Sequence, residues 1–113
     1  MDCIFCRIVS GEVPADVVAR SDHAMAFRDL NPQAPTHVLV IPVRHISSAA
    51  DARGPEGEAV FGTMMQLGVD VAAKLGLAAG FRLVVNVGAD GGQTVHHLHL
   101  HVLGGRQLHW PPG

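Results

Sequence analysis

The sequence predicts an α+β protein in which one long helix packs on an antiparallel sheet. Three observations indicate this class. Three short β-branched or apolar segments precede residue 54, one stretch with helical spacing follows it, and two more apolar segments lie near the end of the chain. The 113 residues suffice for one core, so we expect a single domain over 1–113.

The strands predicted in the first half are residues 17–20, 24–29 and 37–43. The last of them, "HVLVIPV", is apolar and β-branched enough to be a central strand. Prolines 32 and 35 predict that the chain turns before it. The run "GPEG" at 54–57 predicts a break between the two halves of the domain.

The second half contains the predicted helix, residues 58–75, whose apolar side chains recur every three or four positions. Lys74 and Gly76 suit its C-terminus. Residues 81–87 and 96–103 then predict two more strands, joined by a Gly-rich loop at 88–93.

Composition excludes several classes of function. The net charge is −2 and the eight Lys and Arg residues are scattered, so we expect no nucleic-acid partner. No apolar run approaches the roughly 20 residues of a membrane span, and the N-terminal residues do not resemble a secretion signal. We therefore expect no membrane partner and a cytoplasmic location, where Cys3 and Cys6 favour metal binding or free thiols over a disulfide.

Four of the eight histidines fall within residues 96–101. Alternation along a strand would put His97, His99 and His101 on one face. Three interpretations compete: unremarkable surface histidines, a zinc site, or covalent catalysis on phosphorus with one imidazole as nucleophile. The Gly-rich loop that leads into this segment could hold a phosphate, although an ordinary hairpin would give the same pattern.

The segment "HLHLHVL" at 97–103 matches the His-φ-His-φ-His-φ-φ motif, where φ is apolar, of the histidine triad (HIT) superfamily. The segments "IFCRIVSGEVPADVV", "DLNPQAPTHVLVIPVRHIS" and "VVNVGADGGQTVHHLHLHVLGGRQLHWPPG" resemble the Hint branch, the histidine triad nucleotide-binding proteins. This resemblance implies a HIT-like fold with one long and one short helix, and a homodimer that forms a continuous sheet.

The resemblance also implies a reaction, hydrolysis of purine nucleoside 5′-phosphoramidates through a covalent nucleotidyl-histidine intermediate on His99. His101 and Thr94 would contact the phosphate, and His37 would lie near the leaving group. The expected ligands are purine nucleoside monophosphates and phosphoramidates, with no organic cofactor. The alternatives are a regulatory nucleotide-binding module without turnover, a dinucleoside polyphosphate hydrolase, or a nucleotidyl transferase.

The nucleotide contacts implied by the resemblance fall into two groups. The first surrounds the ribose and phosphate, and comprises Asp29, Leu30, Asn86, Gly92, Gln93, Thr94, His99 and His101. The second, Phe5, Ile8 and Phe27, would form an apolar slot for the base. Taken alone, these three side chains could be core packing, Asp29 could be a turn cap, and Asn86 could stabilise a turn.

Departures from the animal Hint pattern are the Cys3-x-x-Cys6 pair and Thr94, where the family often has Ser. The pair resembles many bacterial relatives, in which it joins two histidines around zinc. The implied ligands of a structural zinc are Cys3, Cys6, His45 and His97, and the alternative is a pair of reduced thiols. The resemblance further implies that Trp110 borders the leaving-group pocket of the partner subunit.

Overall fold

The computed structural model describes residues 2–113. Its elements, in chain order, are α1 (Ile4–Val9), β1 (Val17–Arg20), β2 (Ala24–Arg28), β3 (Thr36–Pro42), a short 3-10 turn (Ala49–Asp51), α2 (Gly54–Lys74), β4 (Phe81–Val84) and β5 (Leu100–Gly104). The five strands form one antiparallel sheet in the order β1-β2-β3-β5-β4. The predicted class, an antiparallel sheet with one long and one short helix, is confirmed.

Strand β3 occupies the centre of the sheet, as its sequence predicts. It pairs with β2 on one side and with β5 on the other, in registers that set Val40 opposite both Ala26 and Leu100. Six of its seven residues are buried. A strand covered on both faces favours the β-branched and apolar residues that this segment contains.

Helix α2 begins four residues earlier than the sequence pattern predicts, at Gly54 rather than Glu58. The predicted break at 54–57 is therefore wrong. Pro55 lies in the first turn, where its fixed φ suits a helix and its missing N–H has no helical partner to lose. The helix ends at Lys74, and Gly76 follows with a φ of +78° that favours glycine.

The two predicted C-terminal strands are shorter than expected. Strand β4 ends at Val84 and β5 begins only at Leu100, so residues 85–99 form a connection. Continuation of the β3–β5 ladder would set Leu98 opposite Pro42, which has no N–H to donate. The carbonyl of Leu98 would therefore lack its ladder donor, and the N–H of Leu98 donates outside the ladder, to the carbonyl of Ile46 at 2.7 Å.

The sheet has two unlike faces. On the helix face, α2 packs on buried residues that include Val38, Val40, Leu98, Leu100 and Val102. On the site face, α1 and the neighbouring loops cover Met25, Phe27, Leu39 and Ile41. The predicted alternation of side chains between the two faces holds even before β5 begins. Leu98 belongs to the core on the helix face, whereas His97 and His99 are buried but are not part of that core. Within residues 2–113, no helix is long and apolar enough to cross a membrane.

Candidate active site

A cavity of about 330 Å³ opens on the site face. Its apolar wall comes from α1, from residues 13–15 and from Phe27, and its polar end contains Asp29, Thr94, His99 and His101. A larger cavity of about 500 Å³, between the end of α2 and the start of β4, contains Arg82 and Arg106 but no histidine. The chemistry of the triad therefore belongs to the smaller cavity.

One hydrogen bond fixes the tautomer of the His99 ring, which lines this cavity. Its Nδ1 lies 2.7 Å from the carbonyl oxygen of His97. Because a carbonyl can only accept, Nδ1 carries the hydrogen and, in the neutral ring, Nε2 carries the lone pair. The ring is buried and packs in a T-shaped arrangement against Phe5, with centroids 5.3 Å apart. His99 thus has the tautomer that a nitrogen nucleophile requires.

His37 and His101 form a hydrogen-bonded pair whose tautomers are also fixed. The backbone N–H of Gln33 donates to His37 Nδ1 at 3.0 Å, so the hydrogen of the neutral ring is on Nε2. That Nε2–H lies 2.9 Å from His101 Nδ1, which must accept, and 3.4 Å from Asp29 Oδ2. His101 in turn carries its hydrogen on Nε2.

His101 Nε2 is the notable atom of the site. It is buried and has no hydrogen-bond partner among residues 2–113. A buried donor without an acceptor is costly, and such groups in native proteins are usually satisfied by a ligand or by water. Since His101 lines the cavity, this N–H can be satisfied by an oxygen of a bound ligand.

Burial favours the neutral forms of His37 and His101. Burial, together with the neighbouring rings of His99 and His37, lowers the pKa of His101 from 6.5 to about 4. Burial also lowers the pKa of His37, against an opposing effect of the Asp29 carboxylate. Neutral rings are suited to attack on phosphorus and to hydrogen bonding, since they retain a lone pair.

Asp29, Leu30 and Thr94 lie at the mouth of the cavity. Asp29 accepts the backbone N–H of Asn31 at 2.8 Å through Oδ1, so it is a turn cap, while Oδ2 stays beside His37. Leu30 is 96% exposed at the rim. The exposed Thr94 also lines the cavity.

The remaining residues of the predicted nucleotide site lie outside the cavity lining. Gln93 is buried, and its amide donates to the carbonyls of Ser47 and Val95 at 2.8 and 3.0 Å and accepts the N–H of Gly88. The backbone N–H groups of Gly92 and Gln93 bond within their own loop. Neither Asn86 nor the 85% exposed Trp110 lines this cavity.

Several cavity residues were missed by the sequence analysis. They are Ile4, Val13, Pro14, Ala15, Arg28, Leu39 and Val95. Residues 13–15 reach the cavity because the N–H of Val13 donates to the carbonyl of Arg7, which folds the chain back beside α1. Of these residues, only Leu39 could have been predicted from the sequence. It lies on the predicted central strand two residues after His37, so alternation places both side chains on the same face.

Cys3, Cys6, His45 and His97, the Cys–His cluster, bring four metal-ligating atoms within 4.8 Å of one another. Cys3 Sγ lies 3.3 Å from His97 Nδ1, and Cys6 Sγ lies 3.4 Å from His45 Nδ1. His97 Nε2–H donates to the carbonyl of Pro42 at 2.9 Å, so its Nδ1 lone pair faces the cluster. Two thiols and two imidazoles are the donor set of a closed structural zinc site, and the four residues fit that ion.

A second group, Asp29, His37 and His101, also brings three potential ligand atoms within 4.8 Å. Here the tautomer argues against a metal. Because the N–H of Gln33 occupies His37 Nδ1, the Nε2 that faces the group carries a hydrogen and has no free lone pair. The group is a hydrogen-bonded cluster.

Known proteins resemble this chain over nearly its whole length. An uncharacterized HIT-like protein of Synechococcus elongatus is 49% identical over 112 residues, 99% of this chain and 97% of that protein. A 14 kDa zinc-binding protein of Zea mays is 43% identical over 111 residues, 97% of this chain and 87% of that protein.

Solved structures give the same result. A HIT family hydrolase from Legionella pneumophila has a TM-score of 0.95 and 46% identity, covering 99% of this chain and 100% of its own. A histidine triad nucleotide-binding protein from Candida albicans has a TM-score of 0.82 and 26% identity, covering 97% and 83%. The HIT domain profile matches residues 10–108. The chain therefore belongs to the HIT domain family.

Proposed function

We propose that this protein hydrolyses purine nucleoside 5′-phosphoramidates, with His99 as the nucleophile. The observation that carries the proposal is a complementary pair of imidazoles at one end of one cavity: a lone pair on His99 Nε2 and a buried, unpartnered N–H on His101 Nε2. The relatives named as a HIT family hydrolase and a histidine triad nucleotide-binding protein support the class of activity and of ligand.

In the proposed first step, His99 Nε2 attacks phosphorus and the P–N bond breaks. The electron pair goes to nitrogen, which takes up a proton from solvent in the open cavity and leaves as the amine. The ring becomes an imidazolium, whose Nδ1–H is stabilised by the carbonyl of His97 at 2.7 Å. His101 Nε2–H and the hydroxyl of Thr94 bind phosphoryl oxygens. Water then cleaves the adduct, and over the cycle one water supplies the hydroxyl of the nucleoside monophosphate and the proton of the amine.

The base occupies the apolar wall of the cavity, where Phe5 meets Phe27 edge to face with centroids 5.6 Å apart, and where Ile8 completes the slot. The carboxylate of Asp29 accepts the ribose hydroxyls, with Leu30 at the rim. We assign Asn86, Gly92 and Gln93 to the loop that presents Thr94, since the side chain and the N–H of Gln93 are already bonded within the protein.

We further propose that the Cys–His cluster holds a structural zinc. Burial lowers the pKa of His97, which keeps its ring neutral as ligation requires. When bound, the ion supplies no chemistry to the reaction beyond joining its four ligands. The zinc-binding protein of maize supports this assignment.

The functional unit that we propose is a homodimer. Strand β4 is an edge of the sheet, and Phe81 on it is 38% exposed. On α2, Met65 and Val69 are 44% and 47% exposed. Two β4 strands pairing antiparallel would satisfy both edges and bury these side chains, and the exposed tail could then carry Trp110 to the partner's cavity.

The test is release of AMP from an adenosine 5′-phosphoramidate that carries a fluorescent amine. We expect turnover by the wild type and its loss in His99→Ala. His96→Ala is the matched control, because His96 directly precedes the motif but is exposed and outside the cavity. Binding of AMP without turnover would instead support a nucleotide-binding module, and preference for a diadenosine polyphosphate would support the P–O–P hydrolase alternative.

A further inference from the structure

We infer that a metal ion bound by the Cys–His cluster holds α1 in position over the nucleotide cavity, so that metal occupancy determines the affinity for nucleotide. This inference rests on the proposed function for the identity of the ligand. In this inference the cluster positions α1, which carries part of the base slot. It does not stabilise the sheet as a whole.

Helix α1 is held, apart from the Cys–His cluster, mainly by apolar packing of Phe5, Ile8 and Val9 on the core of the site face. It has six residues, and a helix this short is not stable by itself in water. Phe5 is its one buried residue. Apart from the Cys–His cluster, one side-chain hydrogen bond joins α1 to the sheet in the described part of the chain, from Arg20 to the carbonyl of Val9 at 3.2 Å.

The cluster joins three separate parts of the chain. Cys3 caps α1 and Cys6 lies in its first turn, so two ligands come from the helix itself. His45 follows β3, and His97 lies in the connection before β5. His97 is in turn anchored to Pro42 through Nε2. An ion shared by these four residues would therefore tie the small helix to the rigid centre of the sheet.

The wall of the cavity is built on the same helix. Phe5 lies between the two cysteines in sequence, and its ring packs in T-shaped arrangements against His97 and His99 at centroid distances of 5.8 and 5.3 Å. Ile4 and Ile8 also line the cavity. The helix face of the sheet has its own core with α2, which contains no part of α1. Loss of the ion should therefore release the cavity wall and leave the sheet folded.

The experiment compares the wild type, as purified and after dialysis against a chelator, with Cys3→Ser and Cys3→Asp. Serine and aspartate both cap helices well, so the cap contributed by Cys3 is retained in each variant. Aspartate can ligate zinc and neutral serine is a poor ligand, so the pair separates metal binding from capping. The readouts are zinc per chain, amide hydrogen exchange of residues 4–9 and 36–42, and the Kd for AMP.

We expect about one zinc per chain in the wild type and in Cys3→Asp, and loss of zinc in Cys3→Ser and after chelation. Where zinc is lost, exchange of residues 4–9 should rise, exchange of 36–42 should not, and the Kd for AMP should rise about tenfold, the effect of losing a small part of the Phe5 contact. Adding zinc to the chelated wild type should reverse all three.

The inference is overturned if wild-type protein holds no zinc, or if zinc loss leaves exchange of residues 4–9 unchanged. It is also overturned if exchange rises equally in residues 36–42, since the cluster would then stabilise the whole fold and not α1 in particular. Weakened protection of α1 with an unchanged Kd refutes the link to affinity. If the wild type binds zinc but not AMP, the proposed function fails instead, and the exchange comparison alone decides whether the ion fastens α1.

Discussion

Acidification is expected to destabilise this protein through His101. Burial and the rings of His99 and His37 lower its pKa to about 4, whereas a histidine of the unfolded chain has a pKa of 6.5. Between these two values the unfolded state binds a proton that the folded state does not. The free energy of unfolding therefore falls as the pH falls through this range, and above pH 6.5 the contribution is negligible.

The magnitude follows from the two pKa values. A histidine with a pKa of 6.5 when unfolded and about 4 when folded lowers the free energy of unfolding by about 1.8 kcal/mol between pH 7 and pH 5. The side chain of His101 is only partly buried. Solvent screening reduces the expected contribution to about 1 kcal/mol.

Urea denaturation at pH 7 and pH 5 measures this contribution. The comparison is between the wild type and His101→Asn, whose amide oxygen can still accept the hydrogen bond from His37. We expect the wild type to lose about 1 kcal/mol more than the variant on acidification. His23→Asn replaces an exposed histidine outside the site and controls for removal of an imidazole as such. Equal losses in the wild type and His101→Asn would refute the reasoning.

Three further predictions concern the site, the helix and the tail. Thr94→Ala should lower kcat/KM about tenfold, from loss of one charge-assisted hydrogen bond, and Thr94→Ser should stay within about twofold in steady-state assays; equal losses would deny the hydroxyl a role. The new methyl group of Gly57→Ala would overlap the backbone of Ala52, so this variant should lose about 2 kcal/mol of unfolding free energy in urea. Gly62→Ala, on the open side of α2, should gain about 0.5–1 kcal/mol. Equal shifts would contradict the packing at Gly57. Deletion of residues 109–113 should alter preference among amine leaving groups more than it alters the unfolding midpoint, and unchanged preference would remove the tail from the pocket.

The sequence was most informative where a local pattern and the tertiary environment agree. The apolar, β-branched run at 37–43 predicts a central strand, and β3 is that strand. Alternation from Leu98 to Val102 predicts which side chains face the core, although the backbone of 97–99 is not in a strand. Burial, rather than strand geometry, fixes that alternation.

Sequence patterns could not predict features of the structure that depend on residues elsewhere in the chain. The predicted strand at 96–103 begins only at Leu100, and the ladder stops where its next hydrogen-bonded pair would place Leu98 opposite Pro42, which has no N–H. The tautomer of His37 depends on the backbone N–H of Gln33, and that of His99 on the carbonyl of His97. Hydrogen-bond roles of this kind decide which nitrogen can attack or donate, and they exist only in three dimensions.

The most direct test of the central claim is detection of the nucleotidyl-histidine intermediate. Wild-type protein is mixed with excess adenosine 5′-phosphoramidate, quenched rapidly in alkali and digested, and the peptides are analysed by mass spectrometry. We expect an AMP adduct on His99, formed and consumed at rates consistent with turnover and absent from His99→Ala. Turnover with no adduct on His99, or with the adduct on another residue, would contradict the account.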